Sequence, residues 1–414
     1  MRYIALNLTA RSPLAIRADH APGGAATAPY IGGATLAGGL AAVYRLYYPE
    51  RRDEFERLFL SGQVQYPNLY PASFKHSQAQ RNPALPVYPI PRTAQSCKRF
   101  PGFAGDGGDD PPHGVRDSLF DWATFELGGK THEALKPLLE NRTCPRSGCH
   151  KAMHHFPGFY RRLGDGRGRA EMGVKTRLQT HTGINRETGT VQEGILYSRE
   201  VFEERARFSG VVKLPDELAD TFEKFIAQVG ETGLVRVGNG RTRGLGKVAL
   251  ATNSAEHFEL EAFKTRLSGF NEKLKGHVLD TLKGQELAPF YFALTLHAPA
   301  ILLDPLLRYR GSIDEATLGG LLGLRGEPFR RIYQNTDVRQ VTGWNELWCT
   351  PRMSEYAIEH GSVFLFTLDR EADDALFRAL FRLEEEGIGQ RRGEGFGRVC
   401  ISDPFHSDLF GGQQ

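Results

Sequence analysis

The sequence lacks the features of a membrane or secreted protein. No apolar run approaches the ~20 residues that a membrane-spanning helix needs. The first residues have neither the basic start nor the apolar stretch of a secretory signal. The five cysteines, an odd number, argue against a disulfide framework. These absences lead us to expect a cytoplasmic protein without a membrane partner.

The chain also has little net charge. Its 52 basic and 49 acidic residues leave a balance of +3, which excludes a globally basic protein. The positive charge is instead concentrated beside glycine in the stretches 161–169, 241–247 and 391–398. Local basic stripes of this kind are the usual footprint of nucleic-acid binding, although a solvated surface explains an isolated run equally well.

Two parts of the sequence repeat each other. The opening YIALNLTA at 3–10 returns as YFALTLHA at 291–298, and RGLGKV at 243–248 returns as EGFGRV at 394–399. Each copy therefore begins with an alternating strand and ends in a basic glycine loop that leads into a strand. The order strand, helix, strand, strand, helix, strand is ferredoxin-like. We therefore predict an α+β protein of two tandem ferredoxin-like (RRM-like) units.

The first copy is much longer than the second and must contain an insertion. We predict a first unit at 1–265 with the insertion at about 74–173, a second unit at 285–406 and a tail at 407–414. The insertion is rich in proline and contains three of the five cysteines, which indicates a loop-rich, stapled subdomain.

Helical spacing of apolar residues identifies one helix in each unit. The pattern predicts helices from Leu218 to Val229 and from Ala375 to Leu383. An earlier short helix is expected at about 35–45, and Thr35 is its predicted N-cap.

Several segments resemble a known family. The stretches 31–40 and 180–190 and the two glycine loops are similar to those of the RAMP superfamily of CRISPR-associated proteins. Ala37 stands where that superfamily often has a lysine. The motifs between 343 and 399 most resemble the subtype III-D RAMP subunit, the Csx-ten family.

The resemblance implies a function and a set of partners. It implies tandem ferredoxin-like folds and an RNA-binding subunit of a type III CRISPR interference complex, which acts in antiviral defence. That subunit would hold the repeat-derived end of the guide CRISPR RNA. The implied protein partners are the large signalling subunit and the backbone RAMP subunits, and target RNA is a further candidate.

The residues expected to contact RNA lie in the two glycine loops and in a hairpin at 177–190. In such loops, glycine lets backbone N–H groups approach phosphate oxygens while arginines neutralise charge; a tight turn with exposed arginines is the alternative. The resemblance places the hairpin over bound RNA, although an ordinary polar hairpin has similar turn residues. The candidates are Arg241, Arg243, Lys247, Arg391, Arg392 and Arg398 for phosphates, Phe396 for base stacking or core filling, and His181, Asn185 and Arg186 for covering the strand.

The cysteines of the insertion suggest a structural zinc site. Two cysteines separated by a glycine turn of four residues can share one tetrahedral ion, and a loop-rich insertion would gain folding energy from it. Free thiols in a loop are the alternative. The ligand candidates are Cys97, Cys144 and Cys149, with His113 or His150 preferred to His154 and His155 as the fourth.

An enzymatic alternative depends on Asp19, between the first strand and the glycine turn. Target-cleaving backbone subunits of the superfamily have a catalytic aspartate in this region, and a carboxylate could position a 2′-hydroxyl or a metal ion for endoribonuclease chemistry. Aspartate is also a common turn former, which is the interpretation we favour. A repeat-processing nuclease with His181 or His20 as general base is the other enzymatic option. We expect binding rather than turnover, and a protein that only bridges subunits is the third hypothesis.

Overall fold

The computed structural model describes residues 1–18, 26–75, 85–105, 111–129, 135–164, 168–255, 259–345 and 349–411. In these residues the helices are α1 (Gly33–Tyr47), α2 (Arg52–Phe55), α3 (Leu119–Gly128), α4 (Leu135–Glu140), α5 (Asp216–Val229), α6 (Leu260–Thr281), α7 (Glu315–Leu322), α8 (Asp374–Glu386) and α9 (Pro404–Leu409). The strands are β1 (Arg2–Ala10), β2 (Tyr70–Pro71), β3 (Ser73–Phe74), β4 (Val87–Pro89), β5 (Ala94–Cys97), β6 (Val115–Asp117), β7 (Met153–His155), β8 (Phe159–Arg162), β9 (Arg169–Gly173), β10 (Thr176–Ile184), β11 (Val191–Phe202), β12 (Arg207–Leu214), β13 (Val248–Ser254), β14 (Phe290–Leu296), β15 (Leu302–Leu303), β16 (Tyr309–Arg310), β17 (Phe329–Asn335), β18 (Val338–Val341), β19 (Trp344–Asn345), β20 (Thr350–Pro351), β21 (Glu355–Ile358), β22 (Val363–Leu368) and β23 (Val399–Ile401). A π-helical turn covers Glu56–Leu60, and 3-10 turns cover Arg241–Arg243 and Arg392–Glu394.

The first unit is an antiparallel sheet in the order β13-β1-β12-β2. Since α1 follows β1 and α5 follows β12, the chain runs strand, helix, strand, strand, helix, strand. Leu6 and Leu8 of β1 belong to one buried cluster with Leu40 of α1 and Phe222 of α5. The two helices therefore cover the same face of the sheet.

The second unit repeats this topology. Its sheet has the order β17-β22-β14-β23, and α7 and α8 occupy the places of α1 and α5. The prediction of two ferredoxin-like units is thereby confirmed. The predicted helices at 218–229 and 375–383 lie within α5 and α8. The prediction that Thr35 caps α1 is wrong, because the helix begins at Gly33 and no side chain caps it.

A long hairpin is also repeated. β10 and β11 form it in the first unit, and β18 and β21 form it in the second, with β19 and β20 nearer the tip. Equivalent backbone bridges, Leu14 to Phe202 and Ala300 to Ile358, tie each hairpin to the segment after the first strand of its unit. Only the first of these hairpins is expected from the sequence, through the resemblance of the stretch 180–190.

The residues between β2 and β10 form two small sheets, β3-β9-β8-β4 and β6-β5-β7, together with α3 and α4. This region has more regular structure than its composition predicts, and it packs on the second unit. The rings of Phe120 on α3 and Phe270 on α6 lie 5.4 Å apart. Phe103 shares a buried cluster with Phe405 of α9.

Asp121 is the charged anchor of α3. It accepts from Arg116 at 3.2 Å, pairs with Arg142 at 2.8 Å and contacts His277 of α6 at 3.1 Å. Burial acts to raise the pKa of Asp121, but the hydrogen bond with His277 and the charges of both arginines outweigh it and lower the pKa to about 2. The carboxylate therefore stays charged and holds α3 on α6.

The stretch between the two units is mostly one helix, α6, which begins before the predicted gap at 265–285 and covers most of it. Its buried residues are Phe263, Leu267, Phe270, Leu274 and Val278. Their helical spacing is present in the sequence. The later part of α6, from Phe270 to Val278, and α3 cover one face of the second sheet. α7 and α8 cover the other face, and Phe263 and Leu267 of α6 belong to their cluster. Neither α6 nor any other helix of the described residues is long and apolar enough to cross a membrane.

The two units meet at the buried side chain of Asn68. Its Oδ1 accepts from the backbone N–H of Gly33 at 3.0 Å, and its Nδ2 donates to the carbonyl of Gly395 at 2.8 Å. One amide thus satisfies the start of α1 and the glycine loop of the second unit. Nearby, the Nζ of Lys213 donates to the carbonyls of Glu384 and Glu385 at the end of α8.

We expect Asn68→Ala to lower the free energy of unfolding by about 2–6 kcal/mol, because two buried backbone groups lose their partner at roughly 1–3 kcal/mol each. Urea denaturation followed by circular dichroism measures this. Asn253→Ala, at an exposed position of β13, is the matched control and should change stability by less than about 0.5 kcal/mol. Equal effects of the two substitutions would contradict the bridging role.

Candidate metal centre and nucleic-acid interface

Four metal-ligating side chains meet in the insertion. Cys97 ends β5, His113 precedes β6, and Cys144 and Cys149 flank the turn before β7. Their ligand atoms all lie within 4.8 Å of one another. The Sγ atoms of Cys97 and Cys149 are 3.6 Å apart, and His113 Nδ1 is 3.3 Å from Cys144 Sγ. Tetrahedral zinc with bonds of about 2.3 Å places sulfur ligands about 3.8 Å apart, so these four residues could hold one metal ion.

Short-range backbone bonds form this cluster. The N–H of Cys144 donates to Lys151 at 2.7 Å, and that of Cys149 donates to Arg146 at 3.0 Å, which closes the turn. The ring of Phe100 lies 4.5 Å from that of His113. Of the histidines proposed as the fourth ligand, the structure brings His113 into the cluster. His150, His154 and His155 are exposed outside it.

The pKa values of Cys97, Cys144 and His113 are shifted by burial and by neighbouring groups. It acts to raise the pKa of Cys97, but backbone hydrogen bonds from Phe100 and Arg99 and the neighbouring thiols outweigh it, so that the pKa falls. Burial raises the pKa of Cys144 to about 11, with the neighbouring thiols adding to the effect. Burial and the charge of Arg146 lower the pKa of His113, which favours the neutral imidazole that binds metal.

The first hairpin and the first glycine loop form one surface. His181 and Tyr197 are paired across the hairpin, with ring centroids 5.2 Å apart and planes 22° apart. Arg243 of the loop donates through Nη1 to Tyr197 Oη at 2.5 Å, and its guanidinium lies 5.9 Å from that ring's centroid. We call His181, Tyr197, Arg199 and Arg243 the hairpin–loop surface.

A cleft of about 220 Å³ adjoins this surface. Arg17, Arg199 and Asn239 are among the residues that line it. Tyr197 and Arg199 were not among the predicted site residues. Both residues lie two apart on β11 and therefore point to the face that carries His181. The period-two pattern of the strand could have identified them. Asp19 and His20 lie outside the described residues.

The other predicted residues of the first unit have mixed roles. Asn185 shapes the hairpin turn, because its Oδ1 accepts from the N–H groups of Glu187 at 2.9 Å and Thr188 at 3.3 Å. Arg186 is exposed at the tip, and Lys247 is exposed where β13 begins. Arg241 is half-buried, and its carbonyl accepts from Arg236 at 3.0 Å.

The arginines of the second glycine loop bond to other groups of the protein. Arg391 bonds Glu355 and, at 2.7 Å, Glu394, and its guanidinium lies 4.9 Å from the ring centroid of Phe396. Phe396 packs against a buried cluster of the second unit, which is the core-filling alternative. Arg398 donates to the carbonyl of Gln65 at 3.1 Å, and burial lowers its pKa to about 10. Arg392 is exposed and donates to the carbonyl of Glu386 at 3.2 Å.

The repeated glycines have a reason within the fold. Gly246 and Gly397 have φ values of +88° and +73°, and a Cβ on either would collide with the carbonyl of Val237 or Ile388. Both loops therefore need glycine to close on themselves, whether or not they touch a ligand.

The sequence matches one family model, that of the RAMP superfamily, over residues 7–249, more than half of the chain. No curated protein matches it. Among solved structures it is similar to a chain of the type III-B Cmr-beta bound to cognate target RNA, with 12% identity over 87% of this chain and 86% of that chain and a TM-score of 0.37. It is also similar to a Cas6 product complex, with 10% identity over 97% of this chain and 100% of that chain and a TM-score of 0.38.

Proposed function

The chain belongs to the RAMP superfamily, and we propose that it is an RNA-binding subunit of a type III CRISPR interference complex. Within that complex we propose the role of the subtype III-D subunit. It would hold the repeat-derived end of the guide RNA and contact the large signalling subunit and the backbone RAMP subunits. The observation that carries the proposal is the hairpin–loop surface.

This surface has the chemistry that single-stranded RNA requires. Unpaired bases stack on aromatic rings and arginine planes, while cations follow the backbone. Tyr197 is 37% exposed, and its hydroxyl is held by Arg243, so the ring is fixed before RNA arrives. Arg199 and Lys247 add positive charge on the same unit. In the second loop, Arg392 is the remaining candidate for a phosphate contact, because Arg391 and Arg398 are engaged inside the protein.

A second candidate function, RNA cleavage, is supported by one observation. His181 lies against Tyr197, which Arg243 contacts. An imidazole could act as general base toward a 2′-hydroxyl while the phenol and the guanidinium stabilise developing charge. In the alternative, metal-dependent cleavage, Asp19 would position the metal ion or the 2′-hydroxyl.

The cysteine cluster supports a structural role for metal. We propose that Cys97, His113, Cys144 and Cys149 bind one zinc ion, because thiolate and imidazole ligands in a closed tetrahedral set are typical of structural zinc. The ion would fix β5 to β7. It would thereby stabilise the insertion, which packs on α6 and α9.

We expect Tyr197→Ala and Arg243→Glu to weaken binding of a labelled CRISPR repeat RNA by about 5- to 100-fold, since base stacking contributes roughly 1–3 kcal/mol per base. Fluorescence anisotropy across a salt series measures this. The salt dependence should become shallower by about 0.7 for each phosphate that the variant no longer neutralises. Arg52→Glu, an exposed position of α2, is the control.

A scrambled RNA separates the possible roles. Preference for the repeat supports a grip on the guide end, whereas equal affinity indicates a backbone or target channel. Unchanged binding by both variants would exclude the hairpin–loop surface. Absence of RNA binding by the wild-type chain would favour a subunit that only bridges others.

A time course with the same labelled RNA tests cleavage. We expect intact RNA with and without a divalent metal. Cleavage in chelator that His181→Ala abolishes would replace the binding role with acid–base catalysis. Metal-dependent cleavage that Asp19→Ala abolishes would support the other nuclease route.

We expect purified protein to contain about one zinc ion per chain, and Cys144→Ser to remove most of it and lower the thermal midpoint, because the ion's binding energy is folding energy. Elemental analysis and thermal unfolding with a chelator measure these effects. Cys349→Ser, an exposed cysteine outside the cluster, should change neither quantity. Metal-free protein whose stability is insensitive to chelator would refute the site.

A further inference from the structure

The second unit has a cleft of about 480 Å³ that shares no residue with the hairpin–loop surface. It lies between β15, β16 and the start of α7, and β17 contributes one wall residue. β16 packs against β21, so the cleft lies at the foot of the second hairpin. The lining residues are Asp304, Arg308, Tyr309, Arg310, Gly311, Ser312, Asp314 and Arg331.

The arginines of this cleft are held in place by the protein through part of each guanidinium. Arg308 donates through Nε to Asp304 at 2.7 Å, and Arg310 donates through Nη1 to Asp314 at 2.7 Å. Arg331 donates through Nη1 to the hydroxyl of Ser312 and the carbonyl of Ile313, both at 2.8 Å. Among the described residues, no hydrogen-bond partner is present for the Nη2 group of any of the three. Each guanidinium is thus oriented and still has donors to offer.

The carboxylates of the cleft are occupied by the loop itself. Asp304 Oδ1 accepts from the N–H groups of Leu306 at 2.8 Å and Arg308 at 2.9 Å. Asp314 Oδ1 caps α7 by accepting from Thr317 N–H at 2.8 Å. Glu315 beside the cleft is occupied as well, since its Oε1 accepts from the backbone N–H of Arg331 at 3.0 Å. The carboxylates thus have partners in the protein while guanidinium N–H groups remain, and these donors favour an anion.

Tyr309 adds an aromatic wall. Its ring is 39% exposed and meets Tyr356 of β21 edge-on, with centroids 5.8 Å apart. That contact fixes the orientation of the ring, whose remaining surface is open to a ligand. A cleft of this volume is the size of a small-molecule site, larger than a lone phosphate needs.

We propose that this cleft binds a nucleoside phosphate, with the phosphate on Arg308, Arg310 and Arg331 and the base against Tyr309. Fork-shaped guanidiniums bind phosphate oxygens in pairs, and every base has a face that stacks on a phenol. The nucleoside phosphate has two sources, a free nucleotide or a nucleotide of an RNA strand. Only the second source rests on the proposed function.

The free nucleotide is tested with fluorescently labelled adenosine monophosphate and the full-length protein. We expect saturable binding that Arg308→Glu and Tyr309→Ala each weaken by about tenfold or more. Arg378→Glu is the control, because Arg378 is also exposed and makes the same i,i+4 bond through Nε, to Asp374, on α8. Tyr309→Ala leaves the arginine–aspartate pairs intact and so guards against a loop disturbed by Arg308→Glu.

The RNA strand is tested with photo-crosslinkable RNA and peptide mapping. Crosslinks to Tyr309 that Arg308→Glu removes, without binding of the free nucleotide, would support the cleft with RNA as its source. Nucleotide binding retained by Arg243→Glu would support the cleft even if the proposed function fails. Neither nucleotide binding nor a crosslink in the cleft, or equal losses in Arg378→Glu, would overturn the inference.

Discussion

The structure depends on one buried amide, that of Asn68, which satisfies a backbone group from each unit. Without the amide, the N–H of Gly33 and the carbonyl of Gly395 would both lack a partner inside this buried contact, which is costly. The same contact explains why two loops with the same glycine pattern have different structural roles. The second loop binds the first unit through Gly395, whereas the first loop contacts the β10–β11 hairpin and has Arg243 exposed at the surface.

The sequence predicts well what is periodic or repeated. Alternation in β1 and β14 and the return of the glycine loop reveal two units, and the spacing of Cys144 and Cys149 identifies half of the cysteine–histidine cluster. It predicts poorly what depends on distant partners. Nothing near Arg398 in the chain indicates that the carbonyl of Gln65 will accept its hydrogen bond. β8 and β9 of the insertion form a local hairpin, but β4 pairs with β8 and β5 with β7 across more than fifty residues, and the local sequence does not indicate such partners.

The insertion covers part of the second sheet that would otherwise face solvent. A ferredoxin-like sheet has two faces, and helices of the fold itself cover only one of them. Here α3 and α6 cover the other face through a cluster that includes Phe120 and Tyr291. Side chains of this unit that can contact a ligand therefore lie on the hairpin and in the loops between strands. The cysteine cluster belongs to the same insertion. Cys97 ends β5, which pairs with β6, and α3 begins directly after β6.

The order in which the strands pair has a consequence for folding during synthesis. β1 pairs with β12 and β13, so the fourth residue of the chain aligns with both Val212 and Ser254. Asn68 then bonds Gly395, a separation of 327 residues. Contacts this remote in sequence form slowly, because a long loop must close before they return any energy. The amino-terminal sheet can therefore be completed only after more than half of the chain has left the ribosome. Until then its apolar strands are exposed to aggregation.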